Sequence, residues 1–403
     1  MNKPGAVMPY ALLAGLLAAL STVGPFAIDT YLPALPAIGR EFGASPAQVQ
    51  HTLDAYMLPL GLMVMWHGAF SDAWGRKPVI VVSMLLFALA SLVCVLAPSL
   101  DVLLLGRALQ GIAGGAGMVV GRAVVRDLFE GARAQKLMSH VSMTFALGPA
   151  IAPILGGWIF RLWGWRAVFV FLALLGLALA LACAWKLPES LPPAARQPLH
   201  PDYLLKTSGR ILRTPLFLLL TLAVGCNFNG YFIYVLSAPH VLMDLLGLPE
   251  TGFGYFFIPT VGGMMLGSAC SGRLAGRLSG KRTIALGLGI MALAAAINLL
   301  VSHTLPAGIL ATVLPVCLYT FGMSIAMPSL TLLALELFPA QRGLASSCQS
   351  LLQMMVSASS AGLIAPLLWS SVGHMALGMA VALGLGALCF TLARRLPHPG
   401  TPT

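Results

Sequence analysis

Charge is what this chain lacks. Only 9% of its 403 residues are Asp, Glu, Lys or Arg and 58% are apolar, whereas a soluble domain carries charge on about a quarter of its residues. A water-soluble fold is excluded. The seven cysteines, at 94, 183, 226, 270, 317, 348 and 389, are so spread out that the closest two stand 31 positions apart. That spacing excludes a disulfide framework and a cysteine metal motif, and each thiol reads as a small buried hydrophobe. There is no G-x-x-x-x-G-K-[ST] loop to cradle a nucleotide, and no His, Asp or Cys cluster at catalytic spacing. The chain is therefore expected to be neither an ATP-driven pump nor an enzyme, and to hold no cofactor or metal. The first apolar run follows Lys3 but continues past residue 30 with no small-residue cleavage site, so it reads as a retained helix rather than a signal peptide.

What the chain does have is long apolar runs. Twelve are long enough to cross a bilayer, at about 20 residues each. They begin near residues 9, 49, 78, 101, 137 and 166, then near 215, 251, 283, 306, 343 and 373. Backbone amides in hydrocarbon must be bonded within their own segment or a closed barrel, and runs this long and uniform are not alternating barrel strands, so they are helices. The expectation is an all-α membrane protein with twelve transmembrane helices. The net charge of +11 could point to nucleic acid, but its distribution argues otherwise. With the N-terminus placed in the cytoplasm, nineteen of the 23 cationic residues fall on the inner side, three (Arg40, Arg161, Arg166) on the outer side, and Arg107 inside a helix. That asymmetry is the positive-inside rule for twelve spans with both ends cytoplasmic; the charge orients the chain in lipid and no nucleic-acid partner is expected.

Between the sixth and seventh runs, PESLPPAARQPLHP (188 to 201) carries five prolines that forbid a continuous helix. The following DYLLKTSGRILR places Leu204, Leu205, Ile211 and Leu212 on one face and Lys206, Arg210 and Arg213 on another, as in a helix lying at a membrane interface. The chain is thus expected to divide into a six-helix bundle (1–187), a cytoplasmic linker (188–214) and a second bundle (215–403). An internal repeat supports this: GAFSDAWGRKPVI (68 to 80) after the second span matches GRLAGRLSGKRTI (272 to 284) after the eighth. Two-fold repeats of this kind mark transporters built from matching bundles that rock about a central site.

The motifs resemble those of the major facilitator superfamily, and specifically its drug/proton antiporters of the bicyclomycin and chloramphenicol resistance group. GAFSDAWGRKP is similar to the family's cytoplasmic loop signature G-x-L-a-D-r-x-G-r-k, with Phe70 for Leu and Ala73 for the first Arg. RALQG (107 to 111) resembles the fourth-helix motif. GPAIAPILGG (148 to 157) resembles the fifth-helix antiporter motif, whose G-P-x-x-G-G stands here as Ala152-Pro153-x-x-Gly156-Gly157, with Gly148-Pro149 one turn earlier. IDTYLPALP (28 to 36) and GRAVVRDLFEG (121 to 131) resemble the subgroup's first and fourth helices. The resemblance covers essentially the whole chain and implies two pseudo-symmetric six-helix bundles that export small, mostly hydrophobic drugs in exchange for protons. It further implies a multi-pass monomer in the bacterial inner membrane, whose partners are drug, protons and the lipid bilayer. A metabolite such as an amino acid or sugar is the alternative cargo.

Particular residues carry expected roles. A charged side chain near mid-membrane is costly and by default functional, which singles out Asp29 in GPFAIDTYLPALP. Arg107 lies six residues into its helix, about 9 Å deep, and the two could share a layer in which Asp29 exchanges the transported proton and Arg107 tunes its affinity. Asp54 is a possible accessory carboxylate, although a helix-start carboxylate is also favoured simply by the helix dipole. His67 reads as packing. In the loop, Gly68 and Gly75 permit a tight turn, Asp72 could bond the N-terminus of a helix from the opposite bundle, and Arg76 could pair with Asp127, forming a gating latch. Gly148, Pro149, Pro153, Gly156 and Gly157 bend the fifth helix and bare one face, which Gly262, Gly263 and Gly267 of the eighth span could meet. Aromatic and amide side chains at Tyr31, Tyr56, Asn227, Asn229, Tyr231, Tyr234 and Tyr319, with adaptable Met323 and Met354, suit a largely apolar drug pocket.

Overall fold

The computed structural model describes residues 9–306 and 308–396; Lys3 and both chain ends, assigned above to the cytoplasmic side, lie outside them. The described residues form twelve long helical segments. They are α1 (Tyr10–Asp29), α2 (Pro46–Trp74), α3 (Arg76–Val95), α4 (Leu100–Leu128), α5 (Gly131–Trp163) and α6 (Trp165–Lys186), then α7 (Pro215–Leu236), α8 (Gly254–Leu274), α9 (Gly280–Thr304), α10 (Ile309–Glu336), α11 (Pro339–Leu368) and α12 (Val372–Ala393). Eleven of these segments are long and apolar enough to cross a membrane. The other is α2, which has 29 residues but carries Gln48, Gln50, His51, Asp54, His67 and Asp72. Its length of about 44 Å is more than a bilayer core needs.

Local chemistry marks the helix ends. Ser45 caps α2 through a reciprocal pair: the Gln48 amide donates to Ser45 Oγ at 3.3 Å and the Ser45 amide donates to Gln48 Oε1 at 2.8 Å, with Pro46 in the first turn. Ser99, Ser279 and Ser371 cap α4, α9 and α12. Gly75, at φ 101°, turns the chain between α2 and α3, a conformation that residues with a side chain rarely adopt.

The chain forms two compact units, Met1–His200 and Pro201–Thr403. In the first, α1 packs on α5, α2 and α3 pack on α4, and α3 packs on α6; in the second, α7 packs on α11, α8 and α9 pack on α10, and α9 packs on α12. The same set of pairings recurs six helices later. Of the linker stretch, residues 188–200 belong to the first unit, and the amphipathic helix Pro201–Leu212 to the second. There Ile211 joins a core with Leu216, Phe217, Ala345 and Cys348, while Leu205, expected on the same face, is exposed.

The glycine surfaces differ from expectation. On α5, a Cβ at Gly148 would meet Pro25 at 2.9 Å and one at Gly156 would overlap the Thr30 carbonyl, so this face serves α1 and the residue following it. Gly263 and Gly267 on α8, expected to meet α5, lie instead against the carbonyls of Cys317 and Phe321 on α10, and Gly262 has open space around it. Without a hydrophobic drive between helices in lipid, small residues are used where backbones of one bundle close to direct contact. Gly156→Val is expected to force α1 and α5 apart and lower stability by about 1–3 kcal/mol, read as a lower melting midpoint of the purified protein in detergent; Gly262→Val serves as the tolerated control.

Candidate functional site

In the first unit the chemistry gathers around Arg107, which is fully buried. Its guanidinium carbon lies 4.4 Å from the Tyr31 ring centre, 4.6 Å from that of Tyr56 and 5.9 Å from that of Phe169. The positive plane is held between π-faces. Nε donates to the Thr52 carbonyl at 3.3 Å, and one terminal nitrogen donates to Gln110 Oε1 at 2.7 Å; the other terminal nitrogen has no partner. Gln110 Nε2 donates to Ser91 Oγ at 2.7 Å, and the Tyr31 hydroxyl shares a 2.8 Å bond with Thr52 Oγ1. Five elements thus converge on one cation. The sequence RALQGIAG places this site by helical geometry: Arg107 and Gln110 face inward, while Gly111 and Gly114 let Tyr56 press against α4. A Cβ at Gly111 would overlap the Tyr56 carbonyl, and one at Gly114 would lie 2.8 Å from its hydroxyl.

Asp29 is buried in the same unit at 5% exposure, two residues before Tyr31 and within electrostatic range of Tyr56. Among the described residues neither Asp29 nor Arg107 makes an ion pair. Asp54 is bonded to His51, Nδ1 to Oδ2, at 3.0 Å. His67 is buried on the α4 side of α2, beside the interruption of α4 at Gly115.

The residues where α2 turns into α3 form a compact charge cluster. Arg76 pairs with Asp127 through Nε at 2.9 Å, and its terminal nitrogen reaches Ser71 Oγ at 2.7 Å and the Asp72 carboxylate. Asp72 is thus paired with Arg76 four residues on, rather than placed on a helix N-terminus as expected. Glu189, which the sequence reading passed over, does occupy one. Its Oε1 accepts from the Arg76 amide at 3.0 Å and its Oε2 from the Lys77 amide at 3.3 Å, at the first turn of α3, where free amides and the helix dipole favour a carboxylate. Arg196 stands 4.0 Å from the same carboxylate, the Ser190 hydroxyl donates to Asp127 at 3.0 Å, and the Gln197 amide donates to the Asp72 carbonyl at 3.0 Å. The segment after α6 is strapped across this cluster. The absence of a side chain at Gly75 is what admits Glu189, because a Cβ there would overlap Oε2. Gly68, expected at the turn, lies instead inside α2 and packs loosely near Val119, and the turn itself is made at Gly75. The proline-rich PES stretch was the available signal, but nothing in it names its partner 113 positions away.

In the second unit, Asn227, Asn229, Tyr231, Tyr234, Tyr319 and Met323 are all buried. The Tyr319 hydroxyl donates to the Asn227 carbonyl at 2.8 Å, and Asn229 Nδ2 donates to the Gly225 carbonyl at 2.8 Å and to Ser357 Oγ at 3.3 Å. Tyr231 and Tyr234 each lie nearly parallel to Phe256, ring centres 6.5 Å apart. The Asn227 carboxamide has no bond on either atom and rests against Gly386 of α12. Asn298 of α9, not singled out from sequence, donates to the Tyr234 hydroxyl at 2.7 Å; a lone amide within the apolar run of α9 was its only signal.

Removing the cap gives a direct check of the strap. Glu189→Ala is expected to destabilise the first turn of α3 by about 0.5–2 kcal/mol, raising hydrogen exchange of the Arg76, Lys77 and Leu191 amides about three- to thirtyfold. Unchanged protection there would dismiss Glu189 as a cap.

Comparison with known proteins gives the family. A family model described as Major Facilitator Superfamily matches residues 12–362. The chain is 33% identical over 386 residues to the uncharacterized MFS-type transporter YdgK of Bacillus subtilis (94% of this chain, 92% of that protein). It is 28% identical over 402 residues to the bicyclomycin resistance protein homolog of Haemophilus influenzae (99% and 100%), and 31% identical over 400 residues to multidrug resistance protein D of Escherichia coli (96% and 97%). Among solved structures, a bacterial homolog of the human lysosomal transporter Spinster matches with a TM-score of 0.74 at 19% identity, covering 100% of both chains, a likeness of fold. With these matches added to twelve helices in two repeating units, the chain belongs to the major facilitator superfamily and is a multi-pass membrane transporter of small molecules.

Proposed function

We propose that this transporter exports small, mostly hydrophobic drugs across the bacterial inner membrane in exchange for protons, acting as a monomer with both termini in the cytoplasm. The observation that carries this reading is the pair of opposite charges, Asp29 and Arg107, buried in one unit without an ion-pair partner for either. A structural pair would be joined. Two separated buried charges leave the carboxylate free to trade its proton, with the permanent guanidinium charge held in the same unit.

Coupling follows from the cost of moving charge. A charged carboxylate at the bilayer centre costs about 2.5–3.5 kcal/mol on insertion scales, roughly a hundredfold in population. A transporter that returns empty only with Asp29 neutral therefore moves one proton inward for each drug carried outward. The aromatic and amide residues Tyr31, Tyr56, Asn227, Asn229, Tyr231, Tyr234, Tyr319 and Met323 supply contacts suited to planar apolar cargo. The loop cluster of Gly68, Asp72, Gly75, Arg76 and Asp127 serves as the cytoplasmic gate, and the helix around Gly148, Pro149, Pro153, Gly156 and Gly157 seals the unit against leakage. Relatives named for resistance to bicyclomycin and to multiple drugs, matched over nearly their whole lengths, support a drug as the cargo class.

Asp29→Asn is expected to abolish pH-gradient-driven efflux of chloramphenicol-like or bicyclomycin-like compounds in a transporter-deficient strain, and to remove a few-fold protection against them. The purified variant is expected to keep the wild-type melting midpoint. Gradient-driven efflux by the variant would refute the assignment.

A further inference from the structure

We propose that His51 and Asp54 form the outer proton relay of this transporter: His51 collects a proton from water and passes it to Asp54, which delivers it inward towards Asp29. The inference rests on the proton coupling proposed above and names residues that coupling alone does not require.

The geometry is that of a relay. His51 and Asp54 lie one turn apart on α2, with Nδ1 3.0 Å from Oδ2. The imidazole is 50% exposed and the carboxylate 16%, so the first is the more accessible of the two. The other oxygen, Oδ1, is closed off from solvent and has no hydrogen-bond partner. One side of the carboxylate therefore faces an accessible imidazole and the other the protein interior. An exposed His–Asp pair contributes little to stability, whereas an unsatisfied buried carboxylate oxygen is costly, so stability does not account for the arrangement.

The surroundings point the same way. Asp54 is within electrostatic range of Tyr31, whose hydroxyl bonds Thr52 at 2.8 Å, and the Thr52 carbonyl accepts from Arg107. Thr52 and Tyr56 of the same helix touch Arg107, and Tyr56 lies within electrostatic range of Asp29. The ionisable groups on elements packed against this end of α2 are Tyr31, Arg40 and Glu41 after α1, Cys94 on α3, and Asp101 and Arg107 on α4. Glu41 is engaged by Trp165 and Arg166, Arg40 and Asp101 are exposed, and Arg107 is held by Thr52 and Gln110. His51 is the ion-pair partner of Asp54 among the described residues.

The transfer balances without a further reactant. A proton from water is taken up at Nε2 while the Nδ1 proton passes to Oδ2. The ring ends neutral in its other tautomer, and exchange with water restores the first. An imidazole carries a donor and an acceptor nitrogen on opposite sides of one ring, which suits it to hand a proton from one side to the other.

The test uses the full-length protein in proteoliposomes, with drug exchange driven by a pH gradient and the outer pH varied. Relative to the wild type, His51→Gln and Asp54→Asn are expected to slow exchange at least tenfold at about pH 8, with the loss shrinking towards pH 6. Added imidazole is expected to restore His51→Ala, a rescue that a packing role would not show. His51 is half exposed, so its variants fold even if Asp54→Asn does not, and monodisperse elution checks each. Wild-type pH profiles in the His51 variants, with Asp29→Asn uncoupled, would overturn the relay and leave the coupling reading standing. Exchange by the wild type that ignores the pH gradient would overturn both.

Discussion

The first unit is organised by one constraint, the permanent charge of Arg107 buried without a carboxylate to neutralise it. Guanidinium does not shed its proton inside proteins, and in a low-dielectric interior an unpaired ion is among the most costly groups a fold can contain. The structure spreads the charge over two tyrosine faces, a backbone carbonyl and an amide that is itself anchored on Ser91. The partners come from four elements, so the arrangement holds only while α2, α3, α4 and the segment after α1 keep their places. A joined Asp29–Arg107 pair would have satisfied the cation more cheaply. Keeping them apart leaves Asp29 chemically available, which is where structure and proposed coupling meet.

A second electrostatic cluster sits where α2 turns into α3 in the same unit, and its logic is the opposite. Arg76 is joined to two carboxylates and a hydroxyl, and Glu189 spends both oxygens on the free amides of α3. Nothing here is left unpaired. The proline-rich stretch after the sixth span, which the prolines would otherwise leave as a loose tether, is drawn onto this cluster by Glu189, Ser190 and Gln197. The part of the chain leading to the second unit is thereby tied to the loop proposed to gate the first, so a change in one bears on the other.

Much was legible in the residues because hydrocarbon is an unforgiving solvent. Runs such as VIVVSMLLFALASLVCV can satisfy their backbone only as helices, and a lone arginine or aspartate within them has few innocuous explanations. Arg76 with Asp127 was legible too, through a motif with a known spacing. The partners of Gly263 and Gly267 were not: a bare helix face shows that something comes close without showing what. The same limit hid Glu189, whose neighbours are more than a hundred positions away, and Asn298, whose hydrogen bond to Tyr234 spans 64. His51 is not singled out by the sequence; its bond to Asp54 and the sealed second oxygen, taken together, mark it.

By itself, then, the order of residues determined the number and class of elements, the division into repeating halves and the identity of the buried charges. These are local or additive properties, decided by how many apolar side chains stand in a row and how costly each exception is. Only the tertiary structure decided which charges meet: that Arg107 lies between tyrosines rather than on Asp29, that Asp72 pairs with Arg76, and that Glu189 caps α3. Such choices depend on distances of a few ångströms between segments far apart in the chain, set by where glycines let helices close, and no periodicity encodes them.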